Sequence, residues 1–184
     1  MGLILASGSP QRRQLLKKLR RPFRVVASGV HENSREKDPR KLVRLLAERK
    51  ALAVARKHPE DVVLGADTIV VCAGKILGKP RDKADALRIL RLLNGRWQRV
   101  YTGVAVASEG GKRLLLAAVV SRVKSRRLPE EKLAAFAGKH MDKAGAYAVQ
   151  DRDDPFIERV EGSFDNVIGL PVDAVRALLR RLDA

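Results

Sequence analysis

Asp67 is the residue hardest to explain as scaffolding. It interrupts an apolar run, Val62 to Val71 (VVLGADTIVV), where an unpartnered carboxylate is costly. A charge kept there needs a metal ion, a cation or a strong donor. Three other segments carry groups able to supply one: Lys50 in AERKA, Lys79 in a Gly78-Lys79-Pro80 turn and Glu32 in GVHEN. Asp67 and Glu32 are oxygen ligands of the kind that suits a divalent metal such as magnesium or manganese. The first segment adds donors: LILASGSPQRR is a short apolar run, a turn of Ser7, Gly8, Ser9 and Pro10, then Gln11, Arg12 and Arg13. A strand that turns through small residues into a helix start offers backbone N–H groups and the positive end of the helix dipole. The arginines add forked donors for phosphate oxygens. Charge neutralisation, a metal and a base for water are what phosphoanhydride hydrolysis requires. Ordinary roles stand beside these. Arg12 and Arg13 can face water on a capped helix, Lys50 and Glu32 can lie on the surface, and Lys79 can serve its turn.

The elements that must position these residues alternate between strands and helices. Leu3 to Ala6 reads as a buried strand and Gln11 to Arg20 as a helix, with Leu15, Leu16 and Leu19 inward. Phe23 to Ala27 reads as a second strand. Asp38 and Pro39 read as N-cap and first turn of a long helix that ends near His58-Pro59. Val62 to Val71 reads as a central strand, with a hairpin turn at Gly74. Asp82 caps a helix through Leu93. Strands over Arg99 to Ala107 and Arg113 to Val123 are joined by Glu109-Gly110-Gly111. A short helix after Pro129, brief strands after Asp142 and a last helix from about Pro171 complete the chain. The pattern predicts an α/β fold with a mixed sheet.

Composition narrows the partners. The 184 residues hold 45% hydrophobic side chains, enough for a full core as one domain or two closely joined lobes. No apolar run is long enough to cross a bilayer, and no secretion-signal core opens the chain, so the expected address is cytoplasmic, with no membrane partner. The single cysteine, Cys72, lies in an apolar strand and reads as a small buried hydrophobe. Thirty-eight Lys and Arg against 21 Asp and Glu give a net charge of +17, a field that attracts nucleic acid or nucleoside triphosphates. Aromatic residues are only 4%, which counts against single-strand binding by stacking. His31, His58 and His140 show no zinc spacing.

The chain resembles the Maf, or septum-formation inhibitor, family of nucleotide pyrophosphatases. The resemblance runs nearly end to end through LILASGSPQRR, GADTIVVCAGKILGKP, GRWQRVYTGVAV, DKAGAYAVQ and FIERVEGSFDNVIGLP, in the family's order. It implies one Maf-like domain over residues 1–184, with a mixed central sheet flanked by helices. It also implies a cleft between two lobes, similar to the inosine-triphosphate pyrophosphatases. The implied reaction splits the α–β phosphoanhydride with a divalent metal (magnesium, manganese or cobalt), releasing a nucleoside monophosphate and pyrophosphate. Asp67 matches the family's catalytic aspartate. Ser7, Arg12, Glu32, Lys50 and Lys79 match positions that line the phosphate and metal end, with Asp67 and Glu32 as the metal pair. Ser9, Gln11, Arg13, Thr68 and Gln150 join the substrate-binding set. The resemblance further implies a homodimer and a link to cell-division arrest or nucleotide-pool cleaning.

Base choice rests on three positions. Thr68 after Asp67, and Gln150 after Ala146-Tyr147, agree with the branch acting on dTTP and UTP. Gln11, which sets the arginine pair one residue further from Pro10, looks more like the 7-methyl-GTP branch. Two of three therefore favour dTTP and UTP, with 7-methyl-GTP as the alternative. An amide at 150 can both donate to and accept from a pyrimidine edge. Asp151 and Asp153-Asp154-Pro155 depart from the family's glycine-rich continuation. A second class of function, binding to nucleic acid or a division partner with weak hydrolysis, is motivated by the charge alone.

Overall fold

A computed structural model describes residues 1–150 and 156–183. The chain forms a seven-stranded mixed α/β sheet in the order β2-β1-β3-β5-β6-β7, with β4 paired to β3. The residues cluster into two compact units. One comprises Met1–Asp67, Thr102–Val119 and Gly169–Ala184; the other comprises Thr68–Tyr101 and Val120–Ile168.

In the first unit, β1 (Leu3–Leu5) is buried along its whole length. It lies parallel to β2 (Phe23–Val25) and to β3 (Val62–Cys72), with Ile4 opposite both Arg24 and Val63. A strand covered on both faces needs an uninterrupted apolar run, and LIL supplies it. The following turn enters α1 (Pro10–Leu16) with Ser9 as N-cap, its side chain accepting from the Arg12 N–H, and Pro10 in the first turn. The helix expected through Arg20 stops earlier. After Leu16 it tightens into a 3-10 turn over Lys17–Leu19, and Arg20 takes a left-handed conformation with φ 53°. Pro22 disfavours helical geometry at Arg21, so the apolar periodicity of LLKKL overstates the helix.

The long helix α2 (Pro39–Ala55) starts as its caps predict, with Asp38 accepting from the Lys41 N–H at 2.8 Å. Its face of Ala47, Ala51, Val54 and Ala55 packs on Ile4, Val63, Ala105 and Ala107. Two glycines allow that packing to reach backbone contact. A Cβ at Gly65 would lie 2.3 Å from the Ala47 carbonyl oxygen, and one at Gly103 of β5 (Trp97–Ser108) 2.1 Å from that of Val43. The unit ends in α6 (Val172–Asp183), whose Val175, Leu178, Leu179 and Leu182 are buried.

The second unit begins within β3, which turns at Ala73-Gly74 into antiparallel β4 (Lys75–Leu77). Asp82 caps α3 (Lys83–Leu93), accepting from the Asp85 N–H at 2.7 Å. Ile89, Leu90 and Leu93 of α3 pack with Val70, Val100, Val123, Leu133, Tyr147 and Phe156. Leu133 lies on α4 (Glu130–Phe136), and Val123 on β6 (Arg113–Ser125), which pairs antiparallel with β7 (Ile157–Glu161). Cys72 is buried here, as its apolar context implies. The several brief strands expected after Asp142 reduce to β7 among the described residues, followed by a short helix α5 (Phe164–Ile168) that the sequence pattern did not suggest. Asp151, Asp153, Asp154 and Pro155 lie outside the described residues.

Candidate active site

Gly65 fixes the geometry. It presses the middle of α2 onto β3, and Asp67, two residues along the strand, projects to the same side as the missing Gly65 side chain. Lys50, beside the Ala51 that Gly65 touches, meets Asp67 there. Its Nζ donates to Asp67 Oδ1 at 2.6 Å and to Glu32 Oε1 at 2.7 Å. Lys50 is 6% exposed and Asp67 5%, whereas the Glu32 side chain is about half exposed at 49%. Lys50 is thus not a surface residue; it lies inside α2. Glu32 comes from the segment between β2 and α2, which Arg49 secures by donating to the Asn33 carbonyl at 2.9 Å.

Arg12 completes the charged set. Its Nε donates to the Gly169 carbonyl at 2.9 Å, and one terminal nitrogen reaches Ser7 Oγ at 3.4 Å. Burial lowers its pKa, while Asp67 and Glu32 oppose that shift. Arginine stays protonated regardless. Burial raises the Asp67 carboxyl above its ordinary range; Lys50 and Arg12 pull it back and Glu32 adds to the rise. A carboxylate so placed is a stronger proton acceptor than one in water, and it remains held by a cation.

The first turn is locally self-organised. Ser7 Oγ accepts from the Ser9 N–H at 3.2 Å, and Ser9 Oγ donates to Gln11 Oε1 at 3.0 Å. Gln11 therefore serves the turn, and Arg13 is exposed on α1. The remaining sequence-derived residues belong to the second unit. Thr68 is half-buried and, as Asp67's neighbour in a strand, faces the opposite side. Lys79 is exposed in the bend after β4, where Gly78 accepts from the Gly145 N–H at 3.2 Å. Gln150 is exposed. The structure thus brings together Ser7, Arg12, Glu32, Lys50 and Asp67. Sequence reasoning did not single out Gly65, Gly103 or Gly169, which set the approach of α2 and anchor Arg12. An isolated glycine inside a strand pattern is the signal that points to such close approach.

Among the described residues no group of three or more His, Cys, Asp or Glu is arranged to hold a metal. The available donor pair is Asp67 and Glu32, brought close by their shared ammonium. Also among the described residues, no helix is long and apolar enough to cross a membrane.

A protein of Elusimicrobium minutum named dTTP/UTP pyrophosphatase is 48% identical over 180 residues, covering 98% of both chains. Proteins of the same name from Deinococcus radiodurans and Dictyoglomus thermophilum are 46% and 41% identical, covering 97% and 98% of this chain and 91% and 95% of their own. A solved structure from Mycobacterium abscessus, a nucleoside-triphosphatase / dITP/XTP pyrophosphatase, aligns with a TM-score of 0.48 at 16% identity, covering 100% of this chain and 97% of its own. The family model described as Maf-like protein matches residues 2–182, and the chain belongs to that family.

Proposed function

We propose that this protein is a nucleoside triphosphate pyrophosphatase that hydrolyses dTTP and UTP to the monophosphate and pyrophosphate. The buried Lys50–Asp67 pair, with Arg12 beside it, is the observation that carries the reading. The names of relatives at 41–48% identity support the same activity.

Asp67 takes the proton from a water whose oxygen bonds to the α-phosphorus. The bond from that phosphorus to the bridging oxygen breaks, and its electron pair leaves with pyrophosphate. Lys50 holds Asp67 in position and limits the rise in its pKa, so that the carboxylate is ionised and ready to accept. Arg12, fixed by Gly169 and Ser7, supplies charge to the phosphates.

The donor chemistry of Asp67 and Glu32 fits a hard divalent ion, two carboxylates leaving room for phosphate oxygens and waters. Magnesium, manganese or cobalt bound there would polarise the phosphoanhydride and offset its charge. For base choice, Thr68 and the amide of Gln150 favour a pyrimidine. The single buried thiol, Cys72, suits the reducing cytoplasm in which nucleotide pools turn over.

Product analysis over dTTP, UTP and 7-methyl-GTP, with each metal and without any, tests this in isotopically labelled water. Expected are pyrophosphate, label in the monophosphate, metal-stimulated turnover and a preference for dTTP and UTP. Orthophosphate as first product, or label in pyrophosphate, would overturn the bond assignment. Full activity in chelator would overturn the metal.

A further inference from the structure

The positive charge is unevenly placed. Residues 1–31 contain seven Lys and Arg and no Asp or Glu. Arg12 belongs to the active site and Arg24 pairs with Asp61 at 2.6 Å. Lys18 is engaged within the chain, which leaves Arg13, Lys17, Arg20 and Arg21, on α1, on the 3-10 turn that follows it and on the two residues after that turn. Helix α6 packs against that turn. With Val175, Leu178, Leu179 and Leu182 inward, it adds exposed Arg180 and Arg181. None of these six cations makes an ion pair among the described residues. Arg176, on the same helix, is by contrast neutralised by Asp173 at 2.8 Å.

We infer that the cationic surface formed by α1, its 3-10 turn and α6 binds the phosphate backbone of double-helical nucleic acid without reading sequence. Six unpaired cations form a field that only a polyanion matches along its length. Helix α6 is about 18 Å long from its rise per residue, and a duplex presents about ten phosphates over that distance. A membrane surface fits less well. An interfacial helix buries large apolar side chains beside its cations, and the exposed large hydrophobic residues, Met1, Val25, Ile76, Trp97 and Phe164, lie outside these elements. Single strands fit less well because these elements carry no aromatic residue to stack on a base.

The test is fluorescence anisotropy of a labelled random-sequence duplex, titrated with the full-length protein at several salt concentrations. Six phosphate contacts predict a slope of about −5 in log affinity against log salt. The triple variant Lys17→Gln, Arg180→Gln, Arg181→Gln should lower affinity at low salt and flatten the slope by about 3, with dTTP turnover unchanged. A matched variant on another exposed stretch, Arg56→Gln, Lys57→Gln, Lys112→Gln, should bind as wild type. No duplex binding at low salt, or equal losses from both triple variants, would overturn the inference. Binding to phosphatidylserine vesicles without duplex binding would assign the surface to lipid instead and also overturn it.

Discussion

Two buried carboxylates, one in each unit, are held in opposite ways. Asp67 is 5% exposed and Asp85 7%. Burial dominates at Asp67 and raises its pKa, because its direct hydrogen-bonding partner is one lysine that it shares with Glu32. At Asp85, Arg88 donates at 2.8 Å and the Arg81 backbone N–H at 3.2 Å, and these bonds lower its pKa despite shielding from water. The arginine side chains reach it from solvent, with 57% and 83% of their surfaces exposed. A carboxylate saturated by donors is locked in its charged form and pins the start of α3. A carboxylate under-supplied with donors keeps an appetite for a proton. The difference separates a structural acid from one suited to accept a proton from water.

In stability, the largest effect is expected at Lys50. Lys50→Met leaves Asp67 buried without its ammonium and should cost about 3–5 kcal/mol in urea unfolding at pH 7. A loss below about 1 kcal/mol would mean that Arg12 alone balances Asp67. Asp85→Asn should cost about 1–3 kcal/mol, the scale of lost charge-assisted hydrogen bonds, with normal turnover of dTTP. Loss of turnover in a folded Asp85→Asn protein would erase the contrast between the two acids.

The two acids should also give stability slopes of opposite sign. The lowered pKa of Asp85 contributes stability above its unfolded value, and this fades as pH falls through the folded one. The raised pKa of Asp67 makes the folded state hold its proton longer, so its contribution becomes less favourable as pH rises through the window above 3.8. As pH rises through the range below 3.8, wild-type stability relative to Asp85→Asn should rise. As pH rises above 3.8, wild-type stability relative to Asp67→Asn should fall. Parallel slopes would show that burial does not dominate at Asp67. The smallest effect is on base choice: Gln150→Glu should lower turnover of dTTP and UTP more than that of 7-methyl-GTP. Equal loss on all three would remove Gln150 from base reading.

Much of this contrast was legible before the fold. The caps at Asp38 and Asp82 are local chemistry, readable within four residues, and each starts its helix as expected. Asp67 stood out because burial cost is visible in an apolar run. Its pairing with Lys50 depends on how closely α2 crosses β3, and that distance is set by Gly65 and Gly103, whose effect appears only in three dimensions. Asp85 gave no signal, since an acid in the first turn of a helix is ordinary. The early end of α1 was hidden because leucine periodicity continued past the point where Arg20 turns left-handed.

The most direct measurement is kcat of Asp67→Asn on dTTP beside that of Asp85→Asn, with circular dichroism confirming that both variants are folded. The expected result is a loss of about a hundredfold or more for Asp67→Asn, the scale of a lost general base, and near-normal kcat for Asp85→Asn. Near-normal turnover by folded Asp67→Asn would contradict the assignment of Asp67 as the proton acceptor.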